Sequence, residues 1–278
     1  MLRPWSPLAL VLSVTAGCGG PPGPSESAGQ IQSLDRSSYA NPATPGAQVS
    51  FLHAGDPAGR RVIFVHGTPG EARGWADFLL NPKPGFEYIA VDRPGFGDSG
   101  PDGAVPSIPA QAAALEPLLV KRNGEWPILV GHSLGGPIVA QMALDYRGKV
   151  GALVIVAGSL DPGLERIHWA QPIGNWSLVS KLLPRAYRNA NQELMALKPD
   201  LERLSPRLAA LKCGIQIVHG TQDELVPYAN VPFMQENLRS AILAVATLTG
   251  RNHFLPWTSR DEIEAAILRA ATMEATCQ

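Results

Sequence analysis

This 278-residue sequence lacks the signatures of several protein classes. Its formal charge is only −1, so no basic surface for nucleic acid is indicated. The histidines are scattered, and neither an H-E-x-x-H nor a C-x-x-C pattern occurs, so no metal site is predicted. Gly95–Phe96–Gly97 lacks the third glycine of a dinucleotide fingerprint. We therefore expect no metal, no cofactor and no nucleic-acid partner.

The start of the chain also lacks an apolar run long enough to span a membrane. Residues 1–17 contain one basic residue, a short apolar run Leu8–Leu12 and small residues before Cys18, a pattern typical of a secretory signal peptide. The junction resembles the lipobox of bacterial lipoproteins, in which the cysteine becomes the lipid-modified first residue. Thr15 stands where that motif more often has leucine. The alternative is an ordinary signal peptide with an unmodified Cys18.

The segment after Cys18 is rich in glycine, proline and serine, and residues 18–45 are predicted to be a tether without a core of their own. A tether suits a domain that is held away from a membrane. We therefore expect an exported, membrane-anchored lipoprotein of a bacterial envelope. The oligomeric state stays open.

Gly131–His132–Ser133–Leu134–Gly135 lies between a predicted buried strand and a predicted helix. A serine in such a strand-to-helix turn is typical of a nucleophile elbow. The turn is so tight that side chains two positions before and after the serine would collide, which explains the two glycines. The alternative is a glycine-rich turn with an idle serine.

Apolar strands alternate with helical segments, which predicts an α/β fold with a doubly wound, mostly parallel sheet. Segment 159–205 contains no apolar strand and interrupts this alternation after the sixth strand. We interpret it as a small helical lid. The core of the fold then comprises residues 46–158 and 206–278. A helix is expected from Ser107 to Asn123, kinked at Pro117.

The chain resembles the alpha/beta-hydrolase family from about Gln48 to Ala271. The resemblance rests on the elbow and on four further motifs in order: His66–Gly70, Asp92–Ser99, His219–Asp223 and Asn252–Trp257. It implies a catalytic triad of Ser133, Asp223 and His253, in the order serine, acid, histidine. Asp161 is the competing acid, because some family members place the acid after the preceding strand.

The resemblance also implies an oxyanion hole made by the backbone N–H groups of Leu134 and Thr68. We expect the Thr68 hydroxyl to form a local backbone hydrogen bond, with a third oxyanion contact as the alternative. The other strand-end histidines are expected to brace loops. The candidates for an apolar substrate pocket are Trp169, Trp176, Phe254 and Trp257.

A serine nucleophile favours acyl transfer, and cleavage of a small-molecule carboxylic ester is the leading hypothesis. Dehalogenases and most epoxide hydrolases of this family need a carboxylate at the elbow instead. A lactonase, a thioesterase or a carbon–carbon bond hydrolase would use the same triad. A non-catalytic binding lipoprotein is the alternative from a different class.

Two cysteines remain if Cys18 carries lipid. Cys213 immediately precedes a predicted strand, and the last helix is expected to bring Cys277 back to the same, amino edge of the sheet. Export favours oxidation, so a disulfide between them is one possibility and a pair of free thiols the other.

Overall fold

Short, mostly apolar segments of the sequence form the strands of one sheet in the computed structural model, which describes residues 28–166, 182–273 and 276–278. The sheet has eight strands in the order β1-β2-β4-β3-β5-β6-β7-β8. The strands are β1 Asp35–Ala40, β2 Gln48–Gly55, β3 Arg60–Val65, β4 Phe86–Val91, β5 Ile128–His132, β6 Ala152–Val156, β7 Gly214–Gly220 and β8 Ile242–Leu248.

Strand β1 pairs antiparallel with β2, and β2 pairs antiparallel with β4. All pairings from β4 through β3, β5, β6 and β7 to β8 are parallel. The helices of the described ranges are α1 Ala28–Gln32, α2 Ala76–Leu79, α3 Ile108–Leu115, α4 Gly135–Asp145, α5 Arg185–Leu204, α6 Asn230–Asn237, α7 Leu255–Thr258 and α8 Arg260–Ala271. Short 3-10 helices form at Ala72–Trp75, Glu116–Leu118 and Ser205–Ala210.

Helices cover both faces of the sheet and give two hydrophobic cores. Alternate residues of β3 enter different cores, because successive side chains of a strand point to opposite faces. Ile63 and Val65 pack with α3, α4 and the C-terminal half of α5. Val62 and Phe64 pack with α2 and α8. The doubly wound α/β architecture predicted from the sequence is confirmed.

The tether predicted for residues 18–45 extends too far along the chain. Residues 35–40 of that segment form the edge strand β1 instead. Its sequence, Asp-Arg-Ser-Ser-Tyr-Ala, has no apolar run, so strand periodicity gives no signal. Pairing with β2 and an ion pair of 2.5 Å between Arg36 Nη1 and Asp92 Oδ2 hold it in place.

The helix predicted from Ser107 to Asn123 is shorter than expected. Ser107 caps α3 by accepting a hydrogen bond from Ala110 N–H at 3.4 Å. The α-helix ends at Leu115, and the 3-10 helix follows. Pro117 therefore ends the α-helix rather than kinking it, since proline lacks an N–H and its ring clashes with the carbonyl four residues earlier.

The amino edge of the sheet carries a disulfide bond between Cys213 and Cys277. Their Cα atoms are 4.4 Å apart, and both residues are fully buried. Cys277 also extends the edge through its backbone, with its N–H donating to Val150 O at 2.8 Å and its carbonyl accepting from Gly148 N–H at 2.7 Å. The bond ties the C-terminal tail to the start of β7.

The segment predicted to be a lid is described only in part. Residues 167–181 lie outside the described ranges, and residues 185–204 form α5. Within the described residues, no helix combines the length and the apolar character needed to cross a membrane. Cys18 and the predicted signal peptide also lie outside the described residues.

Candidate active site

Four predicted site residues follow strands of the sheet at its carboxyl edge. Strand β3 pairs with β4 on one side and with β5 on the other, so the chain reverses its winding direction between β3 and β5. Crevices at such a switch point are the usual ligand sites of open α/β sheets. Thr68 follows β3 and Ser133 follows β5, whereas Asp223 follows β7 and His253 follows β8.

Ser133 stands in the tight turn expected of a nucleophile elbow. Its φ is 55°, a left-handed conformation that is uncommon outside glycine. A Cβ on Gly131 would lie 2.3 Å from Gly135 O, and a Cβ on Gly135 would lie 2.2 Å from Val65 O. These distances account physically for the two glycines. Ser133 itself remains partly exposed.

Asp223 and His253 are joined by a hydrogen bond of 2.8 Å from His253 Nδ1 to Asp223 Oδ2. The other carboxylate oxygen of Asp223 accepts from the N–H groups of Leu225 and Val226, at 3.0 and 2.7 Å. The Asp223 side chain is fully buried, so these three donors fix its orientation. The bond to Nδ1 leaves Nε2 of His253 as the nitrogen free to take up a proton.

Asp161, the competing acid, caps a turn of its own. Its Oδ1 accepts a hydrogen bond from Gly163 N–H at 2.7 Å, and its N–H donates to Asn230 Oδ1 at 2.9 Å. The structure thus brings Asp223 to His253 and places Asp161 in a local turn.

Three further histidines bond backbone carbonyls around the site, as expected of residues that brace loops. His66 Nδ1 lies 2.7 Å from Gly67 O, His132 Nε2 lies 3.0 Å from His253 O, and His219 Nε2 lies 2.9 Å from Val226 O. Burial lowers the pKa of His66 and of His132 well below the usual range, and it also lowers the pKa of His219. These rings are therefore neutral at pH 7.

The two predicted oxyanion donors flank Ser133. Leu134 is the N-cap residue of α4, at the helix end where the first N–H groups have no partner within the helix. A Cβ on Gly67 would lie 2.7 Å from Ser133 Cβ, so the loop leading to Thr68 touches the nucleophile. The expected local hydrogen bond of the Thr68 hydroxyl is wrong: its oxygen is buried with no hydrogen-bond partner among the described residues.

Two of the four pocket candidates lie next to the catalytic candidates. The Phe254 ring is 6.0 Å from the His253 ring, and the Trp257 ring is 5.9 Å from the His132 ring, measured between centroids. Phe254 is buried and Trp257 is partly exposed. Trp169 and Trp176 lie outside the described residues.

The sequence interpretation missed a buried ion pair beside the site. Arg93 Nη1 and Nη2 donate to the two carboxylate oxygens of Glu193 at 2.7 and 3.0 Å. Arg93 belongs to the Asp92–Ser99 motif, for which the sequence predicts no charged partner. Glu193 lies in the predicted lid, where the sequence around it gives no sign of a buried charge. The two residues are 100 positions apart in the sequence, so no local pattern could predict that they pair.

Metal-ligating side chains do not assemble into groups of three or more in the part of the chain that the structure describes. The arrangement offers instead a serine on a strained turn, an imidazole oriented by a buried carboxylate, and backbone donors at a helix start. Such groups are suited to nucleophilic acyl transfer.

Comparison with known proteins shows which proteins this chain is similar to. A family model of the alpha/beta hydrolase fold matches residues 60–192. The chain is 32% identical over 157 residues to a 2-hydroxy-6-oxononadienedioate/2-hydroxy-6-oxononatrienedioate hydrolase of Pseudomonas sp, which covers 52% of this chain and 50% of the relative. It is 30% identical over 109 residues to a pimeloyl-[acyl-carrier protein] methyl ester esterase of Photorhabdus laumondii subsp. laumondii. That match covers 39% of this chain and 40% of the relative.

The matches span between 35% and 50% of the length of the first four curated relatives. A solved structure of a membrane phospholipase A, described as a bacterial virulence factor, superposes with a TM-score of 0.62 at 17% identity and covers 96% of this chain and 93% of its own. At that identity the likeness shows the fold alone. This chain has the alpha/beta hydrolase fold, and it is similar to a family model of that fold over residues 60–192 and to known hydrolases over part of their length.

Proposed function

We propose that the protein is a serine hydrolase that cleaves carboxylic esters of small to medium apolar substrates through an acyl-enzyme. The observation that carries this proposal is the 2.8 Å hydrogen bond between His253 Nδ1 and Asp223 Oδ2, next to an elbow that holds Ser133 at a φ of 55°. A binding module has no evident use for this combination. The esterase among the relatives supports the same reaction class.

In the proposed reaction, Ser133 Oγ attacks the ester carbonyl while His253 Nε2 takes the hydroxyl proton. Asp223 holds the imidazole in the required tautomer and stabilises its protonated form. The C–O bond to the alcohol then breaks, and His253 gives its proton to the leaving oxygen. Water attacks the acyl-enzyme in the same manner and releases the acid and free Ser133.

Negative charge develops on the former carbonyl oxygen in both steps. The N–H groups of Leu134 and Thr68 are the donors that we assign to it, and each is expected to lower the barrier by roughly 3–4 kcal/mol. The unpartnered hydroxyl of Thr68 is a candidate for the third contact, because a buried hydroxyl without a partner is costly unless a ligand or water satisfies it.

Carbon–carbon bond hydrolysis on the same triad is the second candidate. It is favoured by the similarity to the 2-hydroxy-6-oxononadienedioate/2-hydroxy-6-oxononatrienedioate hydrolase, at 32% identity. The ester reaction is placed first because it needs only the triad and the oxyanion donors. Lactonase and thioesterase activities would need the same groups and differ in the shape of the pocket.

Covalent labelling tests the proposed class. A fluorophosphonate probe is expected to label the native protein on Ser133, as located by peptide mass, and to leave the heat-denatured protein unlabelled. A panel of p-nitrophenyl esters from acetyl to palmitoyl then measures the acyl preference, and a 2-hydroxy-6-oxo-dienoate tests the second candidate. A folded protein that resists the probe and hydrolyses none of these substrates would be a binding protein.

We also propose that Cys18 is lipidated and that the protein is anchored to a bacterial envelope membrane. The proposal rests on the short apolar run, the small residues before Cys18 and the Gly/Pro/Ser segment after it. Cys18→Ser is expected to move the protein from the membrane fraction to the soluble fraction and to remove the mass of the lipid. A soluble wild-type protein with an unmodified mature N-terminus would contradict this proposal.

A further inference from the structure

The loop after β3 lies directly against the candidate nucleophile. A Cβ on Gly67 would sit 2.7 Å from Ser133 Cβ and 3.2 Å from Ser133 Oγ. A side chain at position 67 is therefore excluded, and the backbone itself faces the reacting atoms. The orientation of this backbone decides which of its polar groups meets the substrate.

Two donors hold the carbonyl of Gly67. Arg93 Nη2 lies 2.9 Å from Gly67 O, and His66 Nδ1 lies 2.7 Å from it. The same peptide unit carries the N–H of Thr68. Because a trans peptide is planar, its N–H points away from its C=O, so donors that fix the carbonyl of Gly67 also fix the direction of the Thr68 N–H.

The hydrogen bonds of His66 agree with its role as a donor. The backbone N–H of Arg93 donates to His66 Nε2 at 3.1 Å, which leaves the ring proton on Nδ1, the nitrogen that faces Gly67 O. Burial, reinforced by the charge of Arg93, keeps the pKa of His66 well below its usual range. The ring is thus neutral and in the tautomer that the carbonyl requires.

Arg93 is held in turn by α5. Its pairing with Glu193 is bidentate, and the two side chains are 0% and 1% exposed. Gln111 Nε2 adds a hydrogen bond of 2.9 Å to Glu193 Oε1. Asn189, one helical turn before Glu193, donates to Gly95 O at 2.8 Å. Helix α5 therefore fastens the loop that carries Arg93 at two points.

From these contacts we infer that Arg93 and Glu193 are positioning residues, which hold the Gly67–Thr68 peptide with its N–H toward the oxyanion and so couple α5 to the oxyanion hole. This inference rests on the proposed serine-hydrolase function. Without the guanidinium, the Gly67 carbonyl loses one of its two donors. The peptide is then held by His66 alone and can rotate to present its carbonyl oxygen, which repels the developing negative charge.

The test compares Arg93→Gln and Glu193→Gln with a matched pair of controls. Arg61 and Glu87 form an ion pair of 2.7 Å whose side chains are 12% and 10% exposed, at the opposite edge of the sheet. Arg93→Gln is expected to lower kcat for an ester by on the order of 10²-fold with little change in KM, as when one oxyanion donor is lost. Arg61→Gln and Glu87→Gln are expected to leave kcat within about twofold.

The affinity for an inhibitor is a second measurement, and it does not change when a variant merely loses stability. A trifluoromethyl ketone forms a tetrahedral adduct with the serine, and its Ki is expected to rise for Arg93→Gln by about the same factor as kcat/KM falls. The Kd of an unreactive substrate-like ester, measured in the Ser133→Ala background, is expected to stay unchanged. Glu193→Gln combined with Arg93→Gln is expected to cost little beyond Arg93→Gln alone, because Glu193 acts through Arg93.

If Arg93→Gln does not fold, Arg93→Lys tests the same positioning role of Arg93. The ammonium keeps the charge opposite Glu193, but it lacks the planar fork that reaches Glu193 and Gly67 O together, so kcat is expected to fall about tenfold at unchanged KM. The inference is overturned if the Arg93 variants lose no more kcat than the Arg61 variants, or if the loss lies in KM. A wild-type protein that fails to react with the fluorophosphonate would instead overturn the proposed function.

Discussion

Two Arg–Glu pairs of the same length, 2.7 Å, lie at opposite ends of the strands, the Arg93–Glu193 pair fully buried and the Arg61–Glu87 pair slightly exposed. Arg61 and Glu87 face each other in the register of β3 and β4, which backbone hydrogen bonds already join. Arg93 and Glu193 connect a loop to a helix across 100 residues of sequence, where no strand pairing holds either partner. We therefore expect the pair at the amino edge to matter little for the candidate site and the pair at the carboxyl edge to matter for its geometry.

Other groups at the two edges differ in the same way. At the amino edge, the Cys213–Cys277 bond ties down the chain end without touching the candidate site. At the carboxyl edge, hydrogen bonds join the candidate catalytic residues to each other and to a loop-bracing histidine. Asp223 bonds the ring of His253, and His132 bonds the backbone carbonyl of His253. The comparison teaches that amino-edge changes should alter stability alone, whereas carboxyl-edge changes should alter activity first.

The largest effect is expected for Ser133→Ala, which removes the nucleophile from the carboxyl edge. Ester turnover is expected to fall by on the order of 10⁶-fold, because the triad acts as a unit. Alanine fits the steric demand of the elbow, so the circular dichroism spectrum and the unfolding midpoint are expected to match the wild type. Near-normal turnover of a pure Ser133→Ala sample would contradict the serine-hydrolase proposal.

Asp223→Asn is expected to lower kcat by on the order of 10⁴-fold, because an amide favours the wrong tautomer of His253. Asp161→Asn is the matched control, since Asp161 accepts a hydrogen bond in its own turn, and it is expected to change kcat little. The measurement is the ester turnover of the two variants at equal purity. The reverse ranking would assign the acid to Asp161.

The double change Cys213→Ser and Cys277→Ser probes the amino edge. The bond closes a loop of 64 residues, so its loss is expected to lower the free energy of unfolding by roughly 4 kcal/mol, on the order of 10³ in the folding equilibrium. Urea titration measures this change. Below the unfolding transition, kcat is expected to stay at the wild-type value, and a selective loss of kcat would break the comparison between the edges.

A smaller effect is expected from pH. Burial lowers the folded-state pKa of His66, His132 and His219 below the value of 6.5 that applies when they are unfolded. The unfolded chain therefore binds more protons below pH 6.5, and the stability that these neutral rings contribute is lost as pH falls from there. Each histidine adds a slope of up to about 1.4 kcal/mol per pH unit.

Urea titrations between pH 7 and pH 5 measure this slope. His132→Asn is expected to reduce it, because one buried imidazole no longer has to gain a proton on unfolding. His53, whose ring Nε2 lies 3.1 Å from Ser37 Oγ at the sheet edge away from the site, serves as the control through His53→Asn. Identical slopes in the wild type and in both variants would contradict the assigned protonation states.

Periodicity and steric reasoning predicted the apolar strands of the sheet and the elbow. Strands β3 and β6 are short, mostly apolar runs, as predicted for strands of a sheet that is covered on both faces. Strand β1 could not be predicted, since its polar sequence becomes a strand only by pairing with β2. Helix α3 ends at Leu115, two residues before Pro117. A proline in the sequence therefore predicts where a helix is interrupted, but it does not tell whether the helix bends there or ends.

The sequence by itself determined the residues available for the chemistry, because a glycine-flanked serine, an acid after a strand and a late histidine follow from local sterics and chain order. Tertiary structure alone decided which acid meets His253, whether Cys213 reaches Cys277, and which partner fixes the Gly67 carbonyl. Those outcomes depend on distances of a few ångströms between segments far apart in the chain. Only the packed sheet and its helices define such distances.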